Sequence, residues 1–473
     1  MDTDNISFKG LTVYLLPFLM TGIIFIALAC KSQPDQTGNM DQSRDRNTLA
    51  AEFRDSLEVG ILNHWYPKVI DTVYGGYLSR LSYDWKPVGN QDKMIVTQAR
   101  HIWTLSEASK VFPEKREAYH KMARQGVHFL WDKMWDHRYG GFYSLVNREG
   151  EVKHGNDSFT GSKTAYGNSF AIYGLTHYAE VFGDSTAMDY ARQTFRWLDS
   201  HAHDSRYGGY FQNLKRDGTP YKAGFNGQPS KDQNSSIHLM EAFTTLYRTW
   251  PDSVVKNRLS ELLTLVRDTI TTPQHHLTLF FRSDWTPISY QDSIKNGNPR
   301  FFQHDHISFG HDVETAYLML EAVDALGLDR EPTLKAGKAM VDEALKYGWD
   351  KKNGGMFDAA YYVEPDGPLQ IVKRTKVWWS QAEVLNSFLL MSRLFPDDDN
   401  QYNRHFLQQW DYIKQYIMDH KNGGWYWAGI DMEPDQKQQP KGTIWKGTYH
   451  NSRALINGME MLRQDSEETM TDK

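Results

Sequence analysis

Three histidines of this chain keep similar company. His238 follows Asn234 by four residues and precedes Glu241 by three. His311 lies in Gly310-His311-Asp312-Val313-Glu314, and His450 in Trp445-Lys446-Gly447-Thr448-Tyr449-His450-Asn451, ahead of Arg453. Spacings of three and four place side chains on one helix face. Three further segments carry comparable groups: Gln98, Arg100 and Trp103; Lys163, Tyr166 and Asn168; and Trp378-Trp379-Ser380-Gln381-Ala382-Glu383. Imidazole, with a pKa of about 6.5, can accept and return a proton near neutrality. Of the 18 histidines, His137, His201, His203, His275 and His276 fall in turns or polar stretches and are set aside.

What must position these clusters is a repeat. The phrase Asp-x-x-x-Gly-Gly-apolar occurs at Asp71–Tyr77, Asp136–Phe142, Asp204–Tyr210, Asp350–Met356 and Asp419–Trp425. The first glycines are 65, 68, 146 and 69 residues apart. The long gap implies a sixth, degenerate copy near position 281, where Leu277–Asp284 has the pattern of a strand pair. Between copies there is room for two helices, as in 92–112 and 114–135. They are separated by stops at Phe112-Pro113, Phe182-Gly183, Trp250-Pro251, Leu326-Gly327 and Phe395-Pro396. Acidic residues follow each stop and suit the next helix N-terminus. Six helical hairpins of about 70 residues predict an all-α fold, an (α/α)6 barrel closed into a toroid, with short β-hairpins and loops at one end. The first helix of each hairpin forms the inner wall and the second the outer wall. The polar clusters, near the inner-helix starts, then meet at one end of the ring. The rival architecture is an open superhelix.

The repeat argues for one large domain over residues 48–465, with a polar tail at 466–473. A net charge of −6 without a basic tract excludes nucleic acid as a partner. The aromatic content of 14% fits a large core or a ring-lined cleft. Residues 11–29 are nearly all apolar and end in Ala27-Leu28-Ala29-Cys30. This resembles a bacterial lipoprotein signal over 1–30, with Cys30 lipidated and 31–47 as a polar tether. The leucine stands second before the cysteine rather than third. The expectation is an exported lipoprotein, anchored on the periplasmic side or at the outer membrane of a Gram-negative bacterium; an uncleaved signal anchor is the alternative. Cys30 is the only cysteine, so the chain can form no internal disulfide.

Gly-His-Asp-Val-Glu, Trp-Trp-Ser-Gln-Ala-Glu, Asn-Ser-Ser-Ile-His-Leu-Met-Glu-Ala and Trp-Lys-Gly-Thr-Tyr-His-Asn-Ser-Arg resemble segments of the cellobiose and N-acylglucosamine 2-epimerase family, in matching order over roughly residues 50–465. The cellobiose and mannobiose 2-epimerases are the nearer match. The resemblance implies an (α/α)6 barrel, no metal or other cofactor, and an oligosaccharide substrate whose reducing sugar is epimerised at C2. It implies His311 and His450 as the acid–base pair and His238 assisting. Arg100 would stabilise an enediolate, and Glu314 would sit beside the substrate and orient His311. Tyr166 and Asn234 would bind hydroxyls. Trp379 and Trp445 would stack on sugar rings, supported by Trp378 and Glu383. Tyr317 stands where the family commonly has tryptophan, which bears on the second sugar subsite. The stretch 270–309, poor in helix signals, is expected to cover the barrel mouth. Alternatives are an N-acylglucosamine 2-epimerase or aldose–ketose isomerase, a glycoside hydrolase using Asp312, Glu314 and Glu383, and a non-catalytic sugar-binding lipoprotein. The oligomeric state is left open.

Overall fold

The computed structural model describes residues 44–153, 161–295, 302, 304–364 and 367–471. Its helices form two concentric layers. The inner layer is α2 (Ile95–Val111), α4 (Ala165–Phe182), α6 (Gln233–Thr249), α8 (Phe309–Leu326), α10 (Trp378–Leu394) and α12 (Tyr449–Thr471). The outer layer is α1 (Arg46–Asp55), α3 (Arg116–Phe129), α5 (Ser185–Ala202), α7 (Ser253–Leu265), α9 (Glu331–Gly348) and α11 (Tyr402–Tyr412). Each inner helix packs on the next, and α12 packs on both α10 and α2, so the ring is closed rather than an open superhelix. The sixth hairpin departs from the expected order: the partner of α12 is α1, so the two ends of the domain close the ring together.

Burial separates the layers. An outer helix such as α5 buries Ala187, Met188, Ala191, Phe195, Leu198 and Ala202 along one stripe. Helix α2, wedged between neighbours on every side, buries 15 of its 17 residues, among them Gln98, Arg100 and Glu107. Polar side chains on such a helix must find partners inside the barrel.

A two-residue strand precedes most inner helices and pairs antiparallel with the next unit's loop: Lys93–Met94 with Leu145–Val146, Lys163–Thr164 with Asn213–Leu214, and Lys231–Asp232 with Phe280–Phe281. The strand lysine is buried and tied to the repeat aspartate. Lys93 donates to Asp71 at 3.0 Å and to the carbonyls of Gly75 and Arg148. Lys163–Asp136, Lys231–Asp204, Lys376–Asp350 and Lys441–Asp419 repeat the pair at 3.1, 2.8, 2.7 and 2.6 Å. Each glycine of the five Gly-Gly pairs has positive φ. A Cβ on Gly141 would come within 2.5 Å of the Trp197 ring, which explains why no larger residue stands there.

The degenerate copy is present, but earlier than its period suggests. The turn runs from Thr272 to Leu277, with His275 and His276 in the glycine places and His275 at φ 63°. Thr272 replaces the aspartate and Ile307 the lysine, so both members of the buried ion pair are lost together. This follows from the cost of leaving either charge alone. Leu277 N–H is held by Asp312, much as Gln98, Asn168 and Gln381 hold Tyr77, Phe142 and Met356. The expected strand pair at 277–284 is instead one strand, Phe280–Phe281, pairing with the preceding unit.

Two expected boundaries also move. Asp45 caps Thr48 N–H, so α1 begins at Arg46, inside the expected tether 31–47. With no Gly or Pro beyond Gly458, α12 continues to Thr471, past residue 465. The apolar stretch 11–29 and Cys30 lie outside the described residues. No helix among the described residues is long and apolar enough to cross a membrane.

Lys446 gives a stability contrast. It is buried and donates to the Trp425 carbonyl, but pairs with no carboxylate among the described residues; burial, then the charge of Lys441, pushes its pKa well below the lysine range. Lys231→Met should cost about 3 kcal/mol or more, because Lys231 is the only cation paired with Asp204 among the described residues and its loss strands that carboxylate in the interior. Lys446→Met should cost about 1–3 kcal/mol, less than the first variant, because it leaves the Trp425 carbonyl unpaired but strands no charge. Urea unfolding of both variants compares them; equal losses would refute the distinction.

Candidate active site at the inner-helix N-termini

Arg100, Phe170, His238, Glu314 and Glu383 are each the sixth residue of their inner helix, and Arg453 is the fifth of α12. Six hairpins in one register therefore place these side chains at one depth. Tyr166, Asn234, His311, Trp379 and His450 lie nearer the helix starts, about one turn towards the mouth. They enclose a cavity of about 270 Å³ lined by Arg100, Tyr166, Asn234, His238, His311, Glu314, Trp378, Trp379, Trp427, Trp445 and His450. Ten of the eleven expected site residues thus share one cavity. The eleventh, Glu383, stands directly behind His450, its Oε1 at 2.6 Å from His450 Nδ1.

The three histidines are held differently. His450 donates through Nδ1 to Glu383, which leaves Nε2 as the free acceptor. His238 Nδ1 pairs with Glu241 at 2.8 Å, and its ring lies against Tyr166 and Phe170. His311 has no carboxylate partner among the described residues. Its ring packs on Trp379 with centroids 4.6 Å apart, and its Nδ1 faces the Gln233 amide at 3.4 Å. Burial, followed by nearby positive groups, pushes the pKa of His311 and His450 well below 6.5, which favours the neutral ring in both near pH 7.

Glu314 does not orient His311, contrary to the expectation. Its Oε1 accepts from Arg453 Nη2 and lies 4.0 Å from His450 Nδ1. A spacing of three shares a helix face, but Glu314 sits one turn deeper, where the guanidinium outcompetes a neutral ring. Tyr317 does not line this cavity: its hydroxyl donates to Glu383 Oε2 at 2.7 Å, beneath the histidine. Trp378 is buried against Trp427, with centroids 4.4 Å apart, while Trp445 is 37% exposed at the rim.

Arg453, Glu241 and Tyr449 are essential to the geometry, yet the sequence reading leaves them without a role. Arg453 Nη2 donates to Glu314 and Glu383, and Nη1 to Glu241 and Tyr449. Burial would raise the Glu241 pKa, but Arg453 and His238 hold it down at about 2. The shared depth with Arg100 was the available signal for Arg453. Arg100 itself is stacked over Phe170 at 4.3 Å and touches Tyr166 OH at 3.2 Å; no carboxylate pairs with it among the described residues. The carboxylates a hydrolase would use are otherwise engaged. Asp312 serves the Leu277 turn, and Glu314 and Glu383 share Arg453.

The closed barrel and the polar, ring-lined cavity at its inner-helix starts together define a carbohydrate-active class of enzyme. The model of the N-acylglucosamine 2-epimerase family matches residues 76–454, and the chain belongs to that family. Cellobiose 2-epimerase of Bacteroides fragilis is 28% identical over 418 residues, covering 86% of this chain and 98% of that one. The structure of cellobiose 2-epimerase from Spirochaeta thermophila superposes with a TM-score of 0.75 at 30% identity, covering 89% of this chain and 98% of that one. The enzyme from Bacillus thermoamylovorans gives 0.75 at 27%, covering 88% and 99%. The protein is a cellobiose 2-epimerase-like member of the family, a carbohydrate epimerase and hence an isomerase.

Proposed function

We propose that the protein inverts C2 of the reducing-end sugar of a β-1,4-linked disaccharide, interconverting glucose and mannose ends. The observation that carries this is a buried guanidinium, Arg100, without a carboxylate partner among the described residues, beside His311 and His450 at one cavity. A neutral sugar does not need that charge; an enediolate does. The ring opens to the aldehyde and a histidine removes the C2 proton. Negative charge then develops on O1 and O2, facing Arg100. The second histidine, protonated from solvent before this step, gives its proton to the opposite face of C2 and is left neutral, while the first passes the abstracted proton to solvent. Glu383, bonded to His450 Nδ1, supports that ring when it carries the proton. Glu314 Oε2, without a partner among the described residues, is available to a sugar hydroxyl.

A neighbouring cavity of about 190 Å³ shares Tyr166, Asn234 and Trp445 with the first and adds Gln228, Leu279 and Phe280. Its aromatic rim and amides suit a second sugar unit. Leu279 and Phe280 come from the 270–309 stretch, which supports a role for it in holding that unit. The relatives named cellobiose 2-epimerase favour cellobiose as the disaccharide.

The test is proton NMR of the full chain with cellobiose or mannobiose in D2O. Interconversion with deuterium appearing at C2 is expected. Released monosaccharide would support a hydrolase, a ketose product an isomerase, and turnover of N-acetylglucosamine alone the other branch of the family.

We further propose that Cys30 is lipidated after export and anchors the enzyme outside the cytoplasm. The Ala27-Leu28-Ala29-Cys30 sequence behind an apolar run motivates this. A Cys30→Ala variant found in the membrane fraction as fully as the parent would remove the idea.

A further inference from the structure

We propose that Arg453 is a positioning residue that couples the His238–Glu241 and His450–Glu383 pairs, with Tyr317 fixing the outer side of the second pair. The inference rests on reading the cavity as an epimerase site. Glu241, Glu314 and Glu383 come from three different helices, α6, α8 and α10, and converge on one guanidinium of α12. Glu241 gives one oxygen to Arg453 and Tyr449 and the other to His238 Nδ1. Glu383 gives Oε1 to both Arg453 and His450 Nδ1, and Oε2 to Tyr317. A continuous line of hydrogen bonds therefore runs from one histidine to the other through Arg453.

Two properties follow from this arrangement. Both carboxylates have their oxygens occupied, so neither can rotate without breaking a charge-assisted bond; the tautomer and direction of each imidazole are set accordingly. In addition, three buried carboxylates share one cation. Three carboxylates against one guanidinium leave an excess of negative charge beside both rings, so an imidazolium formed on either is compensated locally. A planar fork is needed to reach three carboxylates, which a lysine ammonium on a flexible stem does not reproduce. The disturbances should be unequal: changing Arg453 touches both histidines, whereas removing the Tyr317 hydroxyl touches only His450.

The test combines kinetics with long-range ¹H–¹⁵N NMR of the histidine side chains in the full chain, assigned with single histidine variants. Arg453→Lys should lower kcat about 100-fold with KM changed less than about threefold, and should shift the ¹⁵N signals of both His238 and His450. Tyr317→Phe should lower kcat about 10-fold and shift His450 alone. Should Arg453→Lys not fold, Tyr317→Phe decides, since it keeps the ring and loses one oxygen. The proposal is overturned if Arg453→Lys moves only one histidine, or if Tyr317→Phe leaves His450 signals and kcat as in the parent. The NMR readout does not need turnover: coupled shifts in a parent that epimerises no sugar would uphold the network and refute the epimerase reading instead.

Discussion

Replacing His450 or His311 by alanine is expected to lower kcat for C2 epimerisation about 10³-fold, with substrate still bound. General acid–base catalysis contributes roughly 10²- to 10⁴-fold, and reaction at two faces of C2 needs both rings. The variants should also stop incorporation of solvent deuterium at C2, which separates loss of proton transfer from loss of binding. The pH dependence follows from the same burial. Both rings are held below 6.5, first by desolvation and then by nearby positive charges, Arg100 among them. The base form persists above that value, and activity is lost as pH falls through the depressed folded values. The acid limb of kcat/KM should accordingly lie below pH 6.5. A limb above 6.5, or retention of C2 exchange by either alanine variant, would sink the two-histidine reading.

Arg100→Met is expected to lower kcat about 10²- to 10³-fold while KM changes by less than about tenfold. The reason is differential: the ground-state sugar is neutral and gains little from the guanidinium, whereas the enediolate gains most. The same substitution should leave thermal stability unchanged or raise it. Arg100 has no carboxylate to strand, and its Nε has no hydrogen-bond partner among the described residues. Equal loss of kcat and stability would indicate a structural role. An unchanged kcat would place the stabilising charge elsewhere, with Arg453 unavailable because three carboxylates already occupy it.

Much of this was legible in the chain. The Asp-x-x-x-Gly-Gly turns announce themselves because only glycine tolerates two successive left-handed residues under a covering ring, as at Gly141 beneath Trp197. The period of the repeat followed, and with it the ring and the convergence of the inner-helix starts. The fourth turn was harder to place. Its Gly-Gly is His275-His276, and the unit after it is long (79 residues, against 67 before it), so halving the 146-residue gap overshoots it. The pairing of α1 with α12 was likewise hidden, since it joins residues about 400 positions apart in sequence and leaves no local pattern.

The sequence by itself determined the number of hairpins, which helix of each of the first five lines the barrel, and which residue types stand near the catalytic end. These depend on local rules: turn chemistry, helix stops and helical spacing. Only the tertiary structure decided who partners whom within that end. Glu314 and His311 share a helix face, yet Glu314 turns to Arg453 because a charged fork across the barrel outweighs a neutral ring on the same helix. Tyr317, Glu383 and His450 come from three helices, and their alignment exists only once the ring has closed. Spacing along a helix sets depth and face; partners across a closed barrel are set by charge and reach.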